Sequence, residues 1–285
     1  QLTCRDGLIL YVLLCPELYE REGTPYGRGS SGYGDGQDEG WKDNDIRFAR
    51  LSRAAADIAL GNASLDWQPQ LLHLNDWACG LAPAYLHWQA QSIPTVFTIH
   101  NLAYQGVFDA SRLEVLGIPD AAFNASEVTT VSATYAQEIT TPKFGCGLDG
   151  LLRCKAEQGR LSGIPNGIDD SWDPRTDSHL IQAFSSNDWR GKRANADYVR
   201  RHFGLTPSQG PLFAVISRMV HQKGLDLTIE AAKAIVHAGG QIVFMGCGEQ
   251  HVEEALRKLA IRFPGAITAY IGFDEYQARC LFAGS

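Results

Sequence analysis

Runs rich in branched apolar residues recur along the chain, at Ile9 to Leu14, Gln70 to Leu74, Ile93 to Ile99, Val128 to Val131, Leu212 to Ile216, Gln241 to Met245 and Ala266 to Ile271. Their short, nearly continuous apolar character predicts strands buried in a parallel sheet. Segments of helical period lie between several of them. Asp45 to Leu60 sets Ile46, Ala49, Leu51, Ala54, Ile58 and Ala59 along one side, and Leu225 to His237 is a second such segment. Strands alternating with helices of this kind predict a doubly wound α/β fold. The alternation lapses between Ile168 and Gly210, a polar stretch carrying Asp169, Asp170, Asp173, Pro174, Ser185, Ser186, Asn187 and Asp188. It then resumes as βαβαβ, so the chain is expected to hold two domains, residues 1–165 and 166–285. The glycine-rich run from Gly23 to Gly40 reads as a long surface loop.

Composition narrows the class without naming a function. With 285 residues, 45% apolar and 20% charged, the chain can bury a sizeable core. A net charge of -7 and the lack of any dense Lys/Arg block argue against a nucleic acid or an anionic membrane as partner. The seven cysteines (Cys4, Cys15, Cys79, Cys146, Cys154, Cys247, Cys280) are odd in number and scattered, with no CxxC pair and no histidine at metal-ligand spacing. They read as reduced thiols of a cytoplasmic protein with neither a disulfide framework nor a metal site. Leu8 to Cys15 is too short to span a bilayer and lacks the flanks of a signal peptide.

Candidate chemistry gathers where predicted strands end. In SRMVHQKG (Ser217 to Gly224), Arg218 and Lys223 follow a strand and precede a helix, so two cations and free helix N–H groups could cradle a diphosphate. Two solvated surface cations are the plain alternative. GCGEQ (Gly246 to Gln250) repeats the strand-to-helix position with two glycines, where backbone can approach a nucleotide or simply turn tightly. In HLNDWACGLAPAYL, Asp76 and Trp77 follow a strand, and in FTIHNLAYQG so do His100, Asn101, Tyr104 and Gln105. A carboxylate beside an indole can hold a sugar, yet it equally describes a helix cap beside a core tryptophan. Asn166 and Gly167 in IPNGID mark a turn at the domain junction.

Seven segments, PELYEREGTPYG, DNDIRFARLSRAA, HLNDWACGLAPAYL, FTIHNLAYQG, TVSATYAQEI, NGID and SRMVHQKGLDL, resemble in order the bacterial glycogen synthase and plant starch synthase family. The resemblance implies a GT-B fold of two Rossmann-like parallel-sheet domains, both incomplete here, the first on the acceptor side and the second binding the nucleotide sugar. It implies a hexosyltransferase that moves glucose from ADP-glucose, with retained configuration, to the non-reducing end of glycogen or another α-1,4-glucan. No metal or cofactor is implied, and the location is the cytoplasm, or the plastid in a plant. Carried onto this sequence, Arg218 and Lys223 bind the donor diphosphate with Asn166, Gly246 and Gly248 beside them. His100 faces the glucosyl ring, Asp76 lines the sugar pocket with Asn166, and Tyr26, Trp77, Asn101, Tyr104 and Gln105 support it. The family's proposed chemistry uses the leaving phosphate as base for the incoming hydroxyl.

Departures from the family pattern are also expected to matter. The family's KTGGL-type loop precedes the point where this chain starts, and its paired-glutamate segment follows the point where it stops. Between Asn124 and Ala125 the family carries a further stretch with an FLKAG-like motif that this chain lacks. The chain as given is therefore expected to transfer glucose weakly or not at all. Two readings compete: a UDP-glucose-dependent transferase of the sucrose synthase type, and a non-catalytic glucan-binding module. A nicotinamide oxidoreductase would rest only on Gly246 and Gly248.

Overall fold

The computed structural model describes residues 2–3, 7–22, 27, 41–89, 93–109, 112, 116 and 125–285. The chain forms two compact units, Gln1–Tyr26 with Gly40–Gly167, and Gly27–Glu39 with Ile168–Ser285.

In the first unit, β1 (Leu2–Thr3) and β2 (Ile9–Leu10) make a short antiparallel ribbon, followed by α1 (Pro16–Tyr19) and α2 (Asn44–Ala59). Next come β3 (Leu72–Asn75), a 3-10 turn over Trp77–Cys79, α3 (Ala82–Trp88), β4 (Thr95–Ile99), β5 (Glu127–Thr130), α4 (Ala133–Glu138), α5 (Asp149–Glu157) and β6 (Leu161–Gly163). Strands β3, β4, β5 and β6 pair in that order, all parallel. On one face Leu74, Phe97, Ile99 and Val128 pack under Ala82, Ile139 and Leu152 of α3, the end of α4, and α5. The opposite face is polar. There His73 Nε2 lies 2.7 Å from Thr98 Oγ1, which lies 2.7 Å from Thr129 Oγ1.

Two features of this unit differ from the expectation. The apolar run Ile9 to Leu14 is not a buried parallel strand: only Ile9–Leu10 is extended, paired with Leu2–Thr3, and Leu8, Ile9, Leu10, Val12 and Leu14 are exposed. Branched residues favour extended backbone, but burial needs a paired edge and a covering layer that the run does not itself supply. Helix α2 sits where its period places it, yet its buried stripe runs through Asp45, Phe48, Ala49, Ser52, Ala56 and Ala59 rather than through Leu51 and Ile58. Polar groups on the buried side of α2 draw partners from distant segments. Arg47 Nε donates to Leu18 O at 2.8 Å, and Arg112 Nε donates to Asp45 Oδ2 at 2.6 Å.

The second unit contains a 3-10 turn at Asp170–Trp172, then α6 (Arg190–His202), β7 (Leu212–Ile216), a 3-10 turn at His221–Lys223, α7 (Leu225–His237), β8 (Gln241–Gly246), α8 (Gln250–Arg262), β9 (Ile267–Ile271) and α9 (Glu275–Gly284). Strands β7, β8 and β9 form a parallel sheet in that order, with β8 buried along its whole length. Val243 and Met245 pack with Val199, Phe203 and Leu281 of the α6/α9 layer. Ile242 and Phe244 pack with Leu225, Ala232, Val252 and Leu256 of the α7/α8 layer. Helices on both faces explain why QIVFMG reads as a continuous run instead of an alternating one. Among the described residues, no helix is long and apolar enough to cross a membrane.

The polar stretch before α6 is tied down by Asn195, which is fully buried. Its Oδ1 accepts the Ile181 N–H at 3.0 Å, and its Nδ2 donates to Gln182 O at 2.7 Å and Gly191 O at 2.8 Å. Replacing it with alanine removes all three hydrogen bonds, at a cost of about 2–4 kcal/mol. Urea unfolding of Asn195→Ala is expected to show that loss, and a change below about 0.5 kcal/mol would contradict this role.

Candidate functional site

Parallel pairing aligns the ends of neighbouring strands. Register pairs Asn75 with Thr98, and the Asp76 N–H donates to Thr98 O at 2.9 Å, so the chain leaves β3 and β4 side by side at Asp76 and His100. Asp76 turns sharply, with φ 56° and ψ 179°. That conformation costs a non-glycine residue about 1–3 kcal/mol. Its carboxylate offsets the cost: Oδ1 accepts the His100 N–H at 2.8 Å and lies 3.5 Å from the Asn101 nitrogen.

Local hydrogen bonds build the loop that follows. The His100 ring Nε2 lies 2.9 Å from Asn75 Oδ1, and Asn101 Oδ1 accepts the Ala103 N–H at 3.1 Å. Tyr135 Oη accepts the Leu102 N–H at 2.9 Å, and Gln105 Nε2 donates to Cys146 O at 2.9 Å. His100 is left exposed, with Asn101, Tyr104 and Gln105 half-buried around it. The sequence reading missed Asn75, Tyr135 and Cys146 as supports. Asn75 was within reach, since it directly precedes Asp76 on the same strand, whereas Tyr135 and Cys146 are brought in only by packing.

Trp77 packs into the unit as well as facing the loop. Its ring meets Phe48 edge-on at 4.6 Å and Phe108 at 5.9 Å. Gly106 lies so close that a Cβ there would fall 2.0 Å from the indole, and its φ of 59° also favours glycine. Behind the loop, Asp76, Trp77, Asn101, Tyr104 and Gln105 border a cavity of about 320 Å³ whose remaining walls are mostly apolar. Asn166, three residues past the end of β6, is exposed. Tyr26 lies outside the described residues.

In the second unit, the corresponding strand ends are those of β7 and β8. The Ser217 N–H donates to Met245 O at 3.1 Å, the Met219 N–H to Cys247 O at 2.9 Å, and the Glu249 N–H to Met219 O at 2.9 Å. Two loops are thus zipped together, with Arg218, Lys223, Gly246 and Gly248 at one end of the sheet. Gly224, left-handed at φ 67°, caps α7, and Lys223 stands exposed just before it. The first N–H groups of α7, at Leu225, Asp226 and Leu227, have no acceptor within the helix and point out of its start. A diphosphate there would meet a helix terminus of positive partial charge and two cationic side chains.

The two glycines serve a contact between loops as well as a turn. A Cβ on Gly246 would lie 1.9 Å from Ser217 O, and one on Gly248 would lie 2.4 Å from Met219 O. They let one loop rest on the other, which positions the backbone around Arg218.

Alanine at Asp76 removes the acceptor for the His100 N–H, while asparagine keeps a side-chain oxygen. Hydrogen–deuterium exchange is expected to show the His100 amide losing protection about tenfold or more in Asp76→Ala, consistent with loss of a charge-assisted bond, and largely retaining it in Asp76→Asn. Equal protection in both variants would contradict the assigned role.

Comparison with known proteins places this arrangement in a family. Residues 1–154 match the family model described as the starch synthase catalytic domain. A glycogen synthase of Pseudomonas fluorescens is 58% identical over 299 residues, covering 98% of this chain and 56% of that protein. One from Pseudomonas syringae pv. syringae is 55% identical over 304 residues, covering 100% of this chain and 61% of that protein. The chain therefore spans somewhat over half the length of these relatives. Among solved structures, the catalytic domain of starch synthase IV from Arabidopsis thaliana, bound to ADP and acarbose, superposes with a TM-score of 0.75 at 30% identity, over 90% of this chain and 57% of that one. That likeness makes the two parallel-sheet units parts of a GT-B fold. With a family model matched over more than half its length, and with the Asp76, His100 and Arg218 loops at the ends of its parallel strands, this chain belongs to the starch synthase catalytic-domain family.

Proposed function

We propose that the chain is the core of a glycogen synthase, a retaining hexosyltransferase that moves glucose from ADP-glucose to the non-reducing end of an α-1,4-glucan in the cytoplasm. What supports this reading is that Arg218 and Lys223 lie in the loop joining β7 to α7, which is zipped to the Gly246–Gly248 turn, in a chain 58% identical to a glycogen synthase. In this reading Arg218 offers a planar fork to two phosphate oxygens and Lys223 a compact charge, and α7 adds its open N–H groups. Together they stabilise the charge that grows on the departing nucleoside diphosphate. The departing phosphate takes the proton of the incoming glucan hydroxyl, so no separate protein base is required.

Residues 1–165 supply the acceptor side and residues 166–285 the nucleotide-sugar side. His100, exposed and braced by Asn75, hydrogen-bonds the glucosyl ring, with Asn101, Tyr104, Gln105 and Asn166 contributing further polar contacts and Tyr26 the same role. Asp76 acts mainly by holding the His100 backbone in place, and Trp77 by backing the loop. The ADP in the Arabidopsis starch synthase structure favours ADP-glucose over UDP-glucose as donor.

The test is transfer of labelled glucose from ADP-glucose to glycogen. It is run on this chain and on a chimera in which these residues replace the matching 56% of the Pseudomonas fluorescens enzyme. Incorporation by the chimera, falling about 100-fold or more in Arg218→Ala and in Lys223→Ala, is expected for groups that stabilise the leaving diphosphate. Near-normal rates in both variants would remove the donor-site assignment. Glycogen co-sedimentation without any transfer would favour the glucan-binding reading.

A further inference from the structure

Asn75, the last residue of β3, and Asp76 after it hold different parts of His100. Asp76 Oδ1 accepts the His100 backbone N–H at 2.8 Å, which fixes where the residue begins. Asn75 Oδ1 lies 2.9 Å from the ring nitrogen Nε2, which fixes where the ring points. The sheet makes that reach possible. Asn75 pairs in register with Thr98, and His100 follows two residues later, so both side chains leave the same polar face.

The partner is of a kind that decides the ring's proton. An amide oxygen accepts a hydrogen bond and cannot donate one. Nε2 therefore carries the hydrogen, and in the neutral ring Nδ1 keeps its lone pair. Nδ1 has no partner among the described residues, and the side chain is exposed, so that lone pair is open to a ligand.

His73, on the same sheet face, is held differently. Its Nε2 lies 2.7 Å from Thr98 Oγ1, which lies 2.7 Å from Thr129 Oγ1. A hydroxyl both donates and accepts, so this chain can run in either direction and leaves the His73 tautomer open. Of the two rings, only that of His100 meets a group that can act in one sense alone.

We propose that Asn75 is a positioning residue for His100: it holds the ring as the Nε2–H tautomer and so presents Nδ1 outward as a hydrogen-bond acceptor. The inference rests on the sugar-facing role given to His100 above and adds a polarity to it. The group opposite Nδ1 is a donor, which a sugar hydroxyl supplies and a phosphate oxygen, with lone pairs only, does not.

The tautomer is read on the chain itself, its histidines labelled with nitrogen-15, from long-range proton–nitrogen correlation spectra at about pH 9, well above the ordinary imidazole range. The His100 signals are identified by their loss in His100→Gln, and those of His73 are the control. Expected are a proton on Nε2 and a lone-pair shift at Nδ1. In Asn75→Ala the ratio of Nε2–H to Nδ1–H is expected to fall about three- to tenfold, the worth of one neutral hydrogen bond, with His73 unchanged. Asn75→Asp, which keeps an acceptor oxygen, is expected to hold the ratio. A predominant Nδ1–H form in the unaltered chain, or the same ratio in Asn75→Ala, would overturn the proposal.

Transfer by the Pseudomonas fluorescens chimera is measured at the same pH, which keeps the ring neutral beside a new carboxylate. Asn75→Ala is expected to lower kcat/KM about three- to tenfold, and Asn75→Asp to recover most of the loss. Undiminished transfer in Asn75→Ala would remove the positioning role and leave the donor site untouched, since failure of that site shows in Arg218→Ala and Lys223→Ala. The spectra decide the tautomer whether or not the chimera transfers glucose.

Discussion

A parallel strand cannot return to its neighbour by a tight turn, so the chain must cross the sheet and every strand finishes at the same edge. The candidate chemistry of this chain depends on that constraint. It sets Asp76 beside His100 in the first unit, through the Asn75–Thr98 register. In the second, it sets the Arg218 loop beside the Gly246–Gly248 turn. No catalytic sequence needs to fold into a loop of its own, because the loops are held at both ends by paired strands.

Holding those loops close has a local cost, and the two units meet it differently. In the second, glycines remove the obstacle, since any side chain at Gly246 or Gly248 would strike the backbone of Ser217 or Met219. In the first, a non-glycine residue takes the strained turn, and the side chain whose Cβ makes φ 56° costly also carries the carboxylate that binds the His100 backbone. A glycine there would relax the turn but leave the next loop without its acceptor. Strain and support of the His100 loop are thus joined in one residue.

The first unit also shows what happens where apolar surface lacks a partner. Leu8, Ile9, Leu10, Val12 and Leu14 stay exposed although the composition of their run suits a buried strand, whereas Phe97, Ile99 and Leu152 are buried in the core of the first sheet. The second sheet is covered on both faces, and β8 is buried along its whole length. Hydrophobic burial is satisfied only by matching surfaces, and one unit has found more of them than the other.

Local pattern determined much of this protein. Strands β3, β4, β5, β7, β8 and β9 fall on the apolar runs, α7 occupies the residues that its period marks, and the polar groups of the candidate site sit at the strand ends where a parallel sheet must put them. The ordered segments were enough to indicate the family. Tertiary structure alone decided the buried polar stripe of α2, where Asp45 meets Arg112 across 67 positions of sequence, and the support that Tyr135 gives to Leu102. It also decided that β6, three residues long, joins the sheet, that Trp77 packs against Phe48, and that the glycines serve a contact between loops. Periodicity reports how a residue relates to its neighbours along the chain, whereas burial and hydrogen bonding depend on which distant segment arrives to cover it.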